Sequence, residues 1–328
     1  MKIIITGGAG FIGSHLVERL YKDNEVVVID NLSTGHIENI NPYLSKIDFY
    51  EFDLFSGEEK KLDKIIEGSE IVFHLAALAD IVPSMQYPEK YYNSNVTGTL
   101  KLLQSIVRNK IPKIIYSASS SCYGIPDNFP TDEYAEERPQ YPYALTKLLG
   151  EKLIFHWAEL YNIKANSLRL FNVYGTRSRT SGTYGAMFGV FLAQKLANKP
   201  LTVVGDGNQT RDFTYVTDVV EAFFRVAMSN ISSQIFNIGS GKTIPVNKIV
   251  DLLESKKIFI PKRPGEPDCT FANINKIKSL INWSPKINIE TGIELLLKNI
   301  SYWKNAPVWT PSSIEEETKD WFKYLGKK

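Results

Sequence analysis

Tyr143 and Lys147 are four positions apart in a stretch with helical character, so a phenol and an ammonium share one face. A free phenol, with a pKa of about 10, is a poor base at neutral pH. An ammonium about 6 Å away, at an effective dielectric of about 20, favours the phenolate by roughly 3 kcal/mol, or about 2 pKa units. The expected result is a base tuned to take the proton of an alcohol. By itself the Tyr-x-x-x-Lys spacing says little in a chain with 17 tyrosines. Its support is the run Ser117-Ala118-Ser119-Ser120-Ser121-Cys122-Tyr123-Gly124, whose hydroxyls can align a reacting oxygen. That run follows a candidate strand, at the edge where parallel sheets bind ligands; otherwise it is a serine-rich turn.

A second constellation lies at the N-terminus, in Thr6-Gly7-Gly8-Ala9-Gly10-Phe11-Ile12-Gly13. Gly7, Gly10 and Gly13 recur every third position between a strand pattern and a helix pattern. Small residues there let a phosphate approach the backbone, and the following helix presents free N–H groups to it. The context favours a dinucleotide over an unliganded tight turn. Asp30, at the end of the second strand pattern, can accept hydrogen bonds from both adenosine ribose hydroxyls and repels a 2′-phosphate. It argues for NAD rather than NADP. Asp53-Leu54, after the third strand pattern, is a weaker candidate for the adenine pocket.

These residues need a scaffold that brings positions 7 and 143 together. Strand patterns at 2–6, 25–29, 48–52, 71–75, 113–117 and 165–170 alternate with helix patterns at 11–22, 56–66, 88–109 and 141–161. Strands apolar on both faces that alternate with helices imply an α/β fold, a doubly wound parallel sheet of Rossmann type. After residue 175 the rhythm loosens into smaller elements: helices near 186–198, 219–228 and 246–254, and strands near 201–204 and 234–238. The expected organisation is a dinucleotide-binding domain over 1–175 and a smaller C-terminal α/β lobe over 176–328. Some of the later chain is expected to return to the first domain.

The chain is 43% apolar and 23% charged over 328 residues, with a formal net charge of +2. That charge gives no reason to expect nucleic acid or an acidic membrane as partner. No apolar run approaches the length of a membrane span, and no signal segment precedes the first strand. Two cysteines, distant in sequence, fit a reducing cytoplasm better than a disulfide scaffold and show no metal-ligand spacing. His15, His36, His74 and His156 read as structural, and Cys122 reads as a packing residue.

Taken in order, the motifs identify a resemblance. The glycine loop is followed by Asp30-Asn31-Leu32-Ser33-Thr34-Gly35, His74-Leu75-Ala76-Ala77, Asn95-Val96-Thr97-Gly98-Thr99 and Tyr141-Pro142-Tyr143-Ala144-Leu145-Thr146-Lys147. Then come Arg169-Leu170-Phe171-Asn172-Val173-Tyr174-Gly175, Thr210-Arg211-Asp212-Phe213, Arg263-Pro264-Gly265 and Ile281-Asn282-Trp283-Ser284-Pro285. The chain resembles the extended short-chain dehydrogenase/reductase family, in the branch of nucleotide-sugar epimerases and dehydratases, and is most similar to the UDP-glucose 4-epimerase type.

The resemblance implies roles. Tyr143 is the base, Lys147 binds the nicotinamide ribose and tunes Tyr143, and Ser119 aligns the sugar hydroxyl. Gly7, Gly10, Phe11, Ile12, Gly13, Asp30, Asn31, Asp53, Leu54, Leu75, Ala76, Ala77, Asn95 and Ser117 line the NAD site, with Tyr143 and Lys147. Ser119, Ser121, Tyr143, Asn172, Arg211, Arg263 and Thr270 hold the nucleotide-sugar, the two arginines on or near its diphosphate. Without the family, both arginines read as solvated surface charges.

The resemblance also narrows the reaction. Dehydratases of the family carry an Asp-Glu pair where this chain has Ser120-Ser121, and decarboxylases carry a Glu at the place of Ser121. What remains is oxidation and re-reduction at one carbon, through a 4-keto sugar that turns over about its diphosphate linkage. A nucleotide-sugar dehydrogenase or a UDP-glucuronate decarboxylase/4-epimerase is the rival within enzymes, and a non-catalytic NAD-sensing protein is the rival of another class. Thr180–Tyr184 lengthens a loop near the expected hexose, and a small residue at Thr270 leaves room for an N-acetyl group. The helix patterns at 88–109 and 141–161 are those through which the family forms homodimers. Ser312-Ser313 reads as the capping start of a last helix, whose Trp321, Phe322 and Leu325 stripe is expected to pack on the smaller lobe.

Overall fold

In the computed structural model of the chain, residues 1–178 and 187–326 are described. Seven strands form the central sheet, in spatial order Gln234–Ile238, Lys164–Leu170, Lys113–Ser119, Ile71–His74, Lys2–Thr6, Glu25–Asp30, Asp48–Glu51. Every pairing in it is parallel. The inner strands are apolar at consecutive positions because both faces are covered. Ile3, Ile5, Val26 and Val28 pack against Leu16, Val17 and Leu20 of the Phe11–Leu20 helix and Phe223 of the Val216–Met228 helix. Their neighbours Ile4, Val27 and Val72 point the other way, onto Leu62, Leu102, Ile106 and Ile154.

Chain order reverses at Lys2–Thr6, which pairs with Glu25–Asp30 on one side and Ile71–His74 on the other. Such a switch point opens a crevice at the carboxyl ends of the strands. The strand that ends in Ser119 and the Pro142–Tyr161 helix both reach it.

The expected 88–109 helix is interrupted. Pro88–Tyr92 and Gly98–Arg108 are α-helical, but Asn93–Thr97 forms a wider π turn. The cause lies in Asn95, whose side chain is drawn inward to the backbone of Leu78 and the Thr146 hydroxyl. Ile81–Gln86 is a helix that the sequence pattern did not announce.

The chain beyond residue 175 does return to the sheet. Gln234–Ile238 forms its outermost strand beside Lys164–Leu170, and the Val216–Met228 helix covers one face. The smaller lobe has its own core, including Phe191, Leu201, Phe213, Ile249 and Trp303. Its strands pair as Asn172–Tyr174 with Phe213–Tyr215 and Leu201–Val204 with Lys257–Ile260. Lys257–Ile260 is a further strand not expected from sequence. Thr180–Tyr184 lies outside the described residues, as does the expected start of the 186–198 helix, which is observed over Met187–Leu196.

The last helix, Pro311–Leu325, departs from expectation twice. Its capping box is formed by Thr310 and Ser313, because Pro311 occupies the first helical position. Its apolar stripe lies not on the smaller lobe alone: it packs against Val82, Ile81, Met85 and Tyr141 of the first half as well as against the Arg263–Gly265 turn. Trp321 and Leu325 are buried there, while Phe322 stays 39% exposed. Polar contacts fix this position: Gln86 Nε2 donates to Asp320 at 2.9 Å, and Trp321 Nε1 donates to the Pro264 carbonyl at 2.7 Å.

Candidate active site

The crevice is a cavity of about 490 Å3, within the range of small-molecule and cofactor sites. Gly7, Gly10, Phe11, Ile12 and Gly13 form one wall. Gly7 has φ +73°, and a Cβ on it would stand 2.7 Å from the Ala76 nitrogen. A Cβ on Gly13 would meet the Gly7 carbonyl at 2.1 Å, so the helix starts tight against the first strand. Gly10 caps that helix without any side-chain hydrogen bond, which leaves first-turn N–H groups for an anion.

Asp30 and Asn31 line the next stretch, followed by Asp53 and Leu54. Asp30 accepts hydrogen bonds from the amides of Ala9 (3.0 Å) and Leu32 (2.9 Å), which fix its carboxylate. Burial raises its pKa, against those two bonds. Asp53 takes three hydrogen bonds from Phe55 and Ser56 and one of 2.5 Å from Asn31. Burial opposes them, yet the bonds prevail and hold its carboxyl below the usual range. Leu75, Ala76 and Ala77 complete this side. Asn95 is not among the lining residues. Fully buried behind the wall, it spends its amide on Leu78 and Thr146.

Ser117, Ser119, Tyr143, Lys147 and Asn172 line the same cavity. Ser119 ends its strand and caps the turn that follows, with its Oγ 2.8 Å from that of Ser121. The hydroxyls of Ser119 and Ser121 act on the Tyr143 phenol, favouring its charged form. The ring of Tyr141 stacks on that of Tyr143 at 6.3 Å between centroids.

The expected lowering of the Tyr143 pKa by Lys147 is not what this arrangement produces. Burial raises the phenol, and the hydroxyls of Ser119 and Ser121 oppose it only in part. The same burial pulls Lys147 down to about 7, while the Glu151 carboxylate one turn along the helix pushes back. Both charged forms lose solvation in the crevice, a cost that residue spacing does not reveal. The Lys147 ammonium sits 4.4 Å from the centre of the Tyr116 ring, a cation–π contact that replaces some of that lost hydration.

The substrate candidates divide between places. Thr270 is tied to Asn172, donating to its Oδ1 at 2.7 Å. Arg211 borders a second cavity of about 300 Å3 together with Lys262 and Glu266. Both arginines are far less exposed than surface charges, Arg211 at 9% and Arg263 at 12% for the side chain. The sequence reading missed Glu266, which accepts from Arg211 at 2.8 Å and lies 3.8 Å from Arg263. Its place directly after Arg263-Pro264-Gly265 was the available signal.

His74, at the end of its strand, is fully buried. Its Nδ1 lies 2.7 Å from the Thr6 hydroxyl and its Nε2 2.8 Å from that of Thr99. Thr99 donates its own proton to the Asn95 carbonyl, so Nε2 carries the ring proton and Thr6 donates to Nδ1. Burial, and next the nearby Lys147 charge, hold the imidazole down to about 3. The unfolded chain therefore binds the extra proton between the normal histidine pKa of about 6.5 and that value, so stability is lost as pH falls through this window. Denaturant unfolding should show His74 contributing about 1.4 kcal/mol of loss per pH unit below pH 6. A His74→Asn variant should lose that share of the slope; an unchanged slope would refute the assignment.

Comparison with known proteins decides the family. The sequence profile of the NAD dependent epimerase/dehydratase family matches residues 3–239. The chain belongs to that family. Family members similar to it include a putative UDP-glucose 4-epimerase from Methanocaldococcus jannaschii, 37% identical over 302 residues, which span 89% of this chain and 96% of that protein. The crystal structure of UDP-glucose 4-epimerase with UDP-glucose from Thermotoga maritima superposes with a TM-score of 0.86 at 33% identity, covering 93% of this chain and 99% of that one. The UDP-glucuronic acid 4-epimerase of Bacillus cereus, in complex with UDP-glucuronic acid and NAD, gives 0.84 at 32% identity with the same coverage. The cradle fits the cofactor in the family's name: no side chain can occupy the Gly7 and Gly13 positions, helix amides stand ready for a pyrophosphate, and the Asp30 carboxylate disfavours a 2′-phosphate.

Proposed function

We propose that this protein is an NAD-dependent UDP-sugar 4-epimerase that inverts C4 of a UDP-hexose. The observation that carries the reading is one shared cavity, in which Tyr143, Lys147 and Ser119 face the glycine cradle. NAD, when bound, supplies a reversible hydride acceptor. Tyr143 takes the proton of the sugar hydroxyl and later returns it. Ser119 holds the reacting oxygen, and Lys147, beside Tyr143 in the same cavity, binds the nicotinamide ribose. Asn172, Thr270, Arg211 and Arg263 hold the nucleotide-sugar while the 4-keto intermediate turns over. Arginine suits the diphosphate because its donors match phosphate oxygens in pairs.

Ser120 and Ser121 offer no carboxylic acid to protonate a leaving hydroxyl, which supports epimerisation over dehydration. The small Thr270 side chain supports tolerance of an N-acetyl group. The test is incubation with UDP-glucose, UDP-N-acetylglucosamine and UDP-glucuronate without added NAD, with products separated chromatographically. The expected product is the C4 epimer of at least one. Accumulated NADH, released carbon dioxide or no conversion of any would overturn the reading.

The proposed assembly is a homodimer through the helices over 88–108 and 142–161, which expose Tyr92, Leu160 and Tyr161. Sedimentation as a monomer would remove it. The cytoplasm is the proposed compartment, in keeping with free Cys122 and Cys269, and secretion in a fractionation experiment would contradict it. Among the described residues no helix is long and apolar enough to cross a membrane.

A further inference from the structure

The C-terminal helix does more than cover an apolar face. Trp321 touches two parts of the site at once. On one side its ring lies 5.3 Å from the Arg263 guanidinium, and its Nε1 donates to the carbonyl of the next residue, Pro264, at 2.7 Å. On the other side its ring meets that of Tyr141 at 6.5 Å, and Tyr141 stacks on Tyr143. The helix itself is pinned by the Gln86–Asp320 bond and by Leu325, which packs with Val82. Gly265, with φ +70°, lies against Leu325, so the whole turn that bears Arg263 rests on this helix.

We propose that Trp321 is a positioning residue for the substrate, holding the Arg263 turn in the orientation that receives the diphosphate of the sugar nucleotide. The proposal rests on the reading of Arg263 given above. An arginine side chain has many rotamers, and ordering them costs free energy at the moment of binding. A ring face beneath the guanidinium removes some of that freedom beforehand. The hydrogen bond to Pro264 fixes the backbone of the same turn, so side chain and main chain are held by one residue. Glu266, at 3.8 Å from Arg263, balances its charge until a diphosphate arrives.

The experiment compares the full chain with Trp321→Ala and Trp321→Phe. UDP binding is measured by calorimetry, steady-state KM and kcat with the best UDP-sugar, and bound NAD by absorbance of the released nucleotide. Trp321→Ala should weaken UDP binding and raise KM by roughly tenfold, the scale of a lost cation–π contact and hydrogen bond together. Bound NAD should be unchanged and kcat should move by less than KM. Trp321→Phe keeps the ring face and should recover part of the affinity. Hydrogen exchange in the 262–268 turn should quicken in Trp321→Ala. Unchanged UDP affinity in that variant, or a fall in kcat alone, overturns the proposal even if exchange quickens. Wild-type protein that binds no UDP overturns this proposal together with the function, and is seen before any substitution is made.

Discussion

Tyr143→Phe should abolish epimerisation almost completely, by roughly a thousandfold to ten-thousandfold, the upper range for a positioned proton-transfer group. The ring remains, so the stack on Tyr141 and the wall of the cavity are kept. What disappears is the phenolic oxygen proposed to take the proton. Bound NAD and the KM for the UDP-sugar should therefore change little, while kcat collapses. Chromatographic product assays with the purified variant check the rate, and absorbance of released nucleotide checks the cofactor. A variant that kept a tenth of the activity would remove Tyr143 as the base and assign the proton transfer to another group.

The second large effect concerns stability. Arg169 is fully buried, and its guanidinium is bonded to Glu151 twice, at 2.5 Å and 3.1 Å, and to Glu137. Ser167 adds a bond to Glu151 at 2.6 Å, and the Tyr123 ring lies 4.9 Å from the guanidinium. Burial alone would lower the Arg169 pKa, but Glu151 holds it far above the usual value. Arg169→Met would strand the Glu151 carboxylate in the interior. Breaking such a pair by removing one partner costs about 3–5 kcal/mol. Denaturant unfolding should show that loss, and the double variant Arg169→Met, Glu151→Leu should recover much of it, because the stranded Glu151 carboxylate is then removed. A loss below about 1 kcal/mol in the single variant would mean that Glu151 finds solvent or another partner.

The sheet and the cofactor cradle were readable from sequence because short periodic signals specify them. Ile3-Ile4-Ile5, Val26-Val27-Val28 and the three glycines each state a local requirement, and the six strands of the first half lie within a residue or two of the expected bounds. Other features depend on partners far away in sequence. The π turn at Asn93–Thr97 exists because Asn95 meets Leu78 and Thr146, which no periodicity encodes. The Trp321 stripe was visible as a stripe, but its destination was set by Pro264 and Gln86, more than fifty residues distant. The pKa of Tyr143 moves opposite to the expected direction for a similar reason. Spacing gives the charge of Lys147 but not the desolvation that Tyr143 and Lys147 share. Glu266 escaped notice because one carboxylate among many gains meaning only when two arginines are found beside it.

The outermost strand of the central sheet, Gln234–Ile238, joins its neighbour Lys164–Leu170 across more than sixty intervening residues. On the ribosome, where about 5–20 residues emerge per second, the half that grips the nucleotide therefore waits for much of the other half to be synthesised. Throughout that interval the nascent chain carries Lys164–Leu170 as an open β-edge.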